Sequence, residues 1–356
     1  MSARARRGRI RPRVRRPELP IRAWQRDWPF GIHRRTGDVV PLEDYLDPAI
    51  PTLELLDLAP SEWASLTLER LRRQRTYDVY HAGVGRLSRD RALAEVERYT
   101  PLGKKLVELE RRHLLRILER QRLPPGRAQP APRRPARLPR LVSLGPAVEV
   151  LSIDSASDEG LAKARDYRQA NLFPVLQQSG YELVVRDDDS ALRKYVKDDA
   201  IAPGLRFITG VGHGLYDTFY GENLDVIFST GAYKPAEVQG KIVHLFSCRT
   251  ARDLGRDMVQ NGCTAYFGYD ETFQFLDDED ALRFLECDTE IDLSLAHGLT
   301  AGETASRCRA LFEYHVAALD QLGHEYQASM LRDNLSCLRS PASGPQWGAI
   351  DARLGG

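Results

Sequence analysis

Residues 241–255 read KIVHLFSCRTARDLG, an apolar run that halts at Ser247-Cys248 and passes directly into polar, helix-compatible sequence. A cysteine kept for packing belongs inside such a run, because an un-ionised thiol behaves as a small hydrophobe. Cys248 instead closes it, where a strand hands over to a loop. The stretch therefore reads as a buried strand over 241–246, a cysteine at its carboxyl end, and a helix over 250–261 closed by Asn261-Gly262.

The flanking sequence repeats this alternation. VEVLSI (148–153), YELVVR (181–186), LRFITG (205–210) and TAYFGY (264–269) are further apolar strands. Leu161, Ala164, Leu172, Val175 and Leu176 share a helical face between the first two, and a short polar helix falls near 189–198. Apolar strands separated by helices predict an α/β fold with a mainly parallel sheet, whose reacting groups gather outside the carboxyl ends of the strands. Two such ends carry chemistry. The third strand closes in TGVGHG, delivering His213 between Gly212 and Gly214, and the fourth delivers Cys248.

Were those strands neighbours, an imidazole and a thiol would share one crevice. A thiol with an ordinary pKa of about 8.5 needs a base, a cation or a helix N-terminus to become a useful nucleophile. His213 is the candidate base, and a helix beginning near Thr250 would aim its first N–H groups at Cys248. Gly214 lets a carbonyl approach the backbone, so its N–H and that of Cys248 are the candidate oxyanion hole.

ITGVGHG, IVHLFSCRTARDLG and GCTAYFGY, in that order, resemble the caspase-like (clan CD) cysteine peptidases, especially the bacterial gingipain and CHAT types. The resemblance runs over 145–340 in outline and over 205–214 and 241–269 in specific motif. It implies a caspase-like three-layer sandwich and peptide-bond hydrolysis through an acyl-enzyme, with Cys248 as nucleophile and His213 as general acid and base. It also implies a protein substrate and a reaction that requires neither metal nor cofactor. Metacaspases carry an acidic residue two positions before the cysteine, where Phe246 stands here; Arg249 echoes the Cys-Arg pair of caspases. The preference at P1 is therefore open. Arg249, Asp154 at the end of the first strand, and Asp277 and Asp278 in the acidic run YDETFQFLDDEDALRF (269–284) are candidate substrate contacts. A solvated, acid-rich helix start is the plainer reading of that run.

Several conspicuous residues read as structural. His244 alternates with Ile242 and Phe246 inside a strand, and Cys263 opens the next one. Cys308 and His315 share an apolar helical face with Ala305, Phe312, Val316 and Leu319, and His297-Gly298 marks a helix end. The glycines of TGVGHG lack the amphipathic helix that a dinucleotide fingerprint requires.

The 356 residues are 42% hydrophobic, enough for a substantial core and more than one domain. A net charge of +1 conceals an asymmetry: residues 1–140 carry 32 Lys and Arg against 17 Asp and Glu, the remainder 19 against 33. The divisions expected are a basic disordered tail (1–20), a mostly helical N-terminal region (21–122) with helices near 60–75 and 88–121, a Pro/Arg-rich linker (123–140), the α/β domain (141–340) and a C-terminal tail (341–356). The N-terminal region is the expected seat of a regulatory or activating partner, with Arg133, Arg134 and Arg137 as candidate processing points. Five cysteines without a C-x-x-C pair argue against a disulfide framework or structural zinc. With no spanning apolar run and no signal h-region, the expected compartment is the cytoplasm. Only the Arg-rich tail speaks for nucleic acid, which is not an expected partner, and a non-catalytic caspase-like interaction module is the alternative to the enzyme.

Overall fold

The computed structural model describes residues 28–73, 78–81, 85–122, 132–136, 138, 148–276 and 279–354. In chain order these form β1 (Pro29–Ile32), β2 (Val39–Pro41), α1 (Pro60–Arg73), β3 (Asp78–His81), β4 (Gly85–Ser88), α2 (Arg89–Glu97) and α3 (Pro101–Arg122). There follow β5 (Glu149–Asp154), α4 (Glu159–Asn171), α5 (Phe173–Gln178), β6 (Glu182–Asp187), α6 (Arg193–Asp199), β7 (Leu205–Val211), β8 (His213–Gly214), β9 (Thr218–Tyr220) and β10 (Val226–Ser229). The chain ends with β11 (Ile242–Phe246), α7 (Leu254–Gln260), β12 (Ala265–Tyr269), β13 (Gln274–Leu276), α8 (Ala281–Ala296), α9 (Ala301–Leu322), α10 (Glu325–Cys337) and β14 (Leu338–Arg339).

The described residues fall into two compact units, one drawn from 28–73 with 93–122 and the other from 78–92 with 132–354. The first is built on Phe30, Ile32, Trp63, Leu66, Leu114 and Leu118, with a buried ion pair in which Arg70 Nε meets Glu110 Oε2 at 2.7 Å. The helix expected over 88–121 is two helices, because Tyr99 turns into the left-handed region (φ 51°) and Pro101 starts afresh. The hairpin β3–β4, unforeseen in the sequence, groups with the second unit although it precedes α3.

The second unit is α/β. Its six-stranded sheet has the order β14-β12-β11-β7-β5-β6, parallel except for the edge strand β14. Alternation along each strand splits the side chains between two faces. Leu151, Ile153, Ile208, Val243 and Leu245 pack one way, into a core with Val196 of α6 and Leu254 and Met258 of α7. Ser152, Thr209 and His244 face the other way, and α4 and α8 cover them. The result is three layers.

That second face holds ions where oil is usual. Ser152, Thr209 and His244 are register partners across β5, β7 and β11. Asp292 of α8 accepts from Thr209 at 2.9 Å and pairs with His244 Nδ1 at 2.7 Å, while Arg168 of α4 reaches Asp154, Asp292, Ser152 and Thr209. All are buried. Burial alone would push the His244 imidazole down, but Asp292 and Asp288 outweigh it and raise its pKa to about 9.

Residues 341–354, expected as a tail, are part of this unit. Trp347 is buried and donates from Nε1 to Ala251 O at 3.0 Å, and Ala352 O accepts the Ala301 N–H at 2.8 Å. Most of 123–140, with Arg137, and all of 1–20 lie outside the described residues. Of the linker, Arg133 is exposed and Arg134 is ion-paired with Glu286.

Candidate active site

The strand order makes β7 and β11 direct neighbours. Their parallel register pairs Thr209 with His244 and ends at Val211 with Phe246. His213 and Cys248 are therefore each the second residue beyond the last registered pair, delivered at one level from strands about 4.8 Å apart. One further bond, Gly212 N to Phe246 O at 3.2 Å, ties the strand ends beyond the ladder.

Gly214 does its work here in a way the sequence did not disclose. A Cβ on it would stand 2.3 Å from Cys248 O, 2.8 Å from Thr250 Cγ2 and 3.1 Å from Ser247 Cβ. The missing side chain lets the two strand ends close on each other. His213 and Gly214 also open a second, antiparallel sheet, pairing with Tyr220 and Phe219 of β9, which in turn pairs with β10.

The third neighbouring strand contributes a residue that sequence reasoning passed over. Beyond β5, Asp158 caps α4, its Oδ1 accepting the Leu161 N–H at 2.8 Å, and its Oδ2 lies 3.1 Å from His213 Nε2. Burial works to raise the Asp158 pKa, but the bonds from His213 and Leu161 outweigh it and hold the carboxyl below the usual range. With Nε2 committed to Asp158, the bare nitrogen is Nδ1, which is buried and has no hydrogen-bond partner among the described residues. The place of Asp158 at a helix start just beyond a strand was legible in the sequence; that this strand lies beside β7 was not. Glu222 fixes the turn before it, taking the Ala156 N–H at 2.8 Å and the Ser155 hydroxyl at 3.0 Å.

Cys248 is buried, and its Sγ lies 3.8 Å from Phe273 O. Phe273 stacks edge-on with Phe246 (4.7 Å between ring centres) and Tyr269 (4.8 Å), an apolar wall next to the sulfur. Arg249 takes the left-handed backbone conformation (φ 66°), its N–H donating to Glu271 O at 3.1 Å. Its guanidinium and that of Arg252 lie over the Tyr216 ring at 5.3 and 4.6 Å.

The helix expected to begin near Thr250 begins at Leu254. Its first N–H groups are spent elsewhere: Asp253 N and Leu254 N both donate to Tyr216 O, at 3.1 and 2.9 Å. They support the loop after His213 instead of facing the thiol. Asp154 is likewise removed from the expected substrate contacts, being fully buried and bound to Arg168 and Ser152. Asp277 and Asp278 lie outside the described residues, while Asp280 of the same run is buried against Arg283 and His324. None of the five cysteines is in a disulfide, and all are buried. Among the described residues no cluster suits a metal ion, and no helix is long and apolar enough to cross a membrane.

No protein-family model matches the chain, and no curated protein matches it. Among solved structures it is similar to the crystal structure of the Arg-specific cysteine proteinase gingipain R, with 13% sequence identity and a TM-score of 0.37. The match covers 58% of this chain and 47% of that one, so the chain spans about half the length of the structure it matches.

Proposed function

We propose that this chain is a cysteine endopeptidase in which Cys248 is the nucleophile, His213 the general acid and base, and Asp158 the group that orients His213. The observation that carries this reading is the register: three adjacent strands, β5, β7 and β11, lead at their carboxyl ends to Asp158, His213 and Cys248. Core packing gives no reason for a carboxylate, an imidazole and a thiol to follow three successive strand ends.

Asp158 accepts a hydrogen bond from the Nε2–H of His213, which leaves the Nδ1 lone pair of His213 as the base. His213 Nδ1 takes the Cys248 proton, and the thiolate attacks the substrate carbonyl carbon. As the C–S bond forms, the carbonyl π pair moves to oxygen, where the N–H groups of Gly214 and Cys248 are the proposed donors. The oxyanion collapses, the C–N bond breaks, and His213 passes its proton to the leaving amine. Water then loses a proton to His213 and attacks the thioester; the C–S bond breaks, the acid leaves and the thiol is restored.

The substrate class proposed is a polypeptide held extended beside Phe273, with Arg249 and Glu271 as its charged contacts; the N-terminal region is proposed to receive a regulatory partner. Replacing Cys248 with Ala is expected to abolish cleavage of a peptide library and labelling by an electrophilic peptide probe, with the melting temperature held. Cleavage retained by that variant overturns the reading. One observation favours a second reading, a non-catalytic interaction module: only 5% of Cys248 is accessible. That reading gains if wild type cleaves nothing in the library.

A further inference from the structure

β13 starts at Gln274, the residue after Phe273, whose carbonyl oxygen meets Cys248 Sγ. It is the strand that leads away from the sulfur. On one side it pairs antiparallel with β3, setting Gln274 opposite His81, Phe275 opposite Tyr80 and Leu276 opposite Val79. On the other side the Asn334 side chain takes the place of a strand: Oδ1 accepts the Gln274 N–H at 3.0 Å and Nδ2 donates to Gln274 O at 2.7 Å. Both main-chain groups of Gln274 thus face away from β3. By the alternation of an antiparallel ladder, Phe275 and Tyr80 form the hydrogen-bonded pair, and the pairs on either side of it are non-hydrogen-bonded.

An extended peptide gains affinity by adding a strand to an open edge, with its main chain in the ladder. The edge of β13 that leads to Cys248 has this form, and a segment from the N-terminal half of the same chain fills it. The polarity also fits. β3 runs antiparallel to β13, so its carboxyl end, His81, lies at the Gln274 end, nearest the nucleophile. A peptide in the same berth would lead its carboxyl-side residues to the sulfur. The ladder is short, three registered pairs at the tip of a hairpin, so a peptide of similar length can match it.

We propose that β3 is an internal occupant of the peptide-binding edge of β13, and that the β3–β4 hairpin must leave that edge before a polypeptide substrate can bind. This rests on the peptidase reading of the site, but its test does not require hydrolysis. The probe is a fluorescent peptide copying residues 77–84 (YDVYHAGV), titrated into the full chain carrying Cys248→Ala, with and without replacement of 78–88 by a Gly-Ser linker of equal length. The linker chain is expected to bind at least tenfold more tightly. Equal affinity for both chains, or no binding to the linker chain, overturns the proposal. Should the linker chain not fold, Val79→Cys with Leu276→Cys is placed in the otherwise intact Cys248→Ala chain, at a non-hydrogen-bonded pair within reach of a disulfide. Binding is then expected to fall at least tenfold on oxidation and return on reduction; binding unchanged by oxidation overturns the proposal. Loss of catalysis in wild type bears on the peptidase reading alone.

Discussion

A single carboxylate, Asp158, both starts helix α4 and holds the imidazole of His213: Oδ1 accepts the Leu161 N–H at 2.8 Å and Oδ2 stands 3.1 Å from His213 Nε2. The two duties can be separated. Asn caps a helix about as well as Asp, whereas Ala forfeits about 1 kcal/mol of cap. Asp158→Asn is therefore expected to leave the melting temperature nearly unchanged while lowering kcat about 10- to 100-fold, part of the ~10²–10⁴ that positioned proton transfer supplies. KM should hold. Asp158→Ala is expected to lose both activity and stability, which calorimetry beside peptide kinetics would separate. Because the folded pKa of Asp158 is depressed, its stabilisation is present above its ordinary value near 3.8 and is lost as pH falls through the depressed one. Asp158→Asn should remove that part of the acid-side slope in a melting series.

Gly214→Ala tests the closure of the two strand ends. Its Cβ would meet the Cys248 carbonyl oxygen at 2.3 Å, and backbone cannot swing aside as a side chain can. Overpacking of this kind costs about 1–3 kcal/mol, and the displacement falls on the nucleophile itself. Activity should drop by more than tenfold with a lowered melting temperature. Wild-type kinetics in that variant would mean that His213 and Cys248 do not depend on this contact.

Arg249 offers an unusual substitution. Its φ of 66° suits glycine, so Arg249→Gly removes the guanidinium from Tyr216 without straining the turn. The expected outcome is an unchanged or slightly raised melting temperature and a KM shifted at least threefold for peptides that differ in charge next to the scissile bond. A cleavage profile identical to wild type would exclude Arg249 from substrate recognition.

His244→Ala is expected to destabilise by about 3–5 kcal/mol, because it leaves Asp288 and Asp292 buried beside one fewer cation. The pH dependence has a definite sign. The folded pKa of His244 is raised from 6.5 to about 9, so its stabilisation is complete below about pH 6.5 and is lost as pH rises through 9. Denaturant melts between pH 6 and 10 should show wild type losing stability over that window and the variant losing less.

The parallel core was legible because its strands are long apolar runs: Leu205–Val211 and Ile242–Phe246 fall within a residue of where the sequence sets them. The smaller strands were not. His213–Gly214 and Leu338–Arg339 are two residues each and carry no periodicity, and β3 is a four-residue strand of a short hairpin whose other partner lies nearly two hundred residues away. The start of α7 was misplaced because Thr250–Asp253 are as compatible with a turn as with a helix; the loop carbonyl of Tyr216 decides between them. Asp154 looked like a site residue by its place at a strand end, but the alternation that turns Ser152 toward Arg168 turns Asp154 there as well. Asp158 needed the strand order, which no single sequence supplies.

The row Ser152, Thr209, His244 beneath Arg168 and Asp292 acts as a gauge for assembly of the sheet. If β11 slipped by one residue during folding, His244 would be exchanged for Val243 or Leu245, stranding Asp292 against hydrocarbon and turning an apolar face to ions. A purely apolar interior would penalise such an error far less, since neighbouring aliphatic residues substitute for one another. Thr209 and His244 stand four positions before His213 and Cys248 respectively, so the check made deep in the sheet also certifies the alignment of the two residues at its rim.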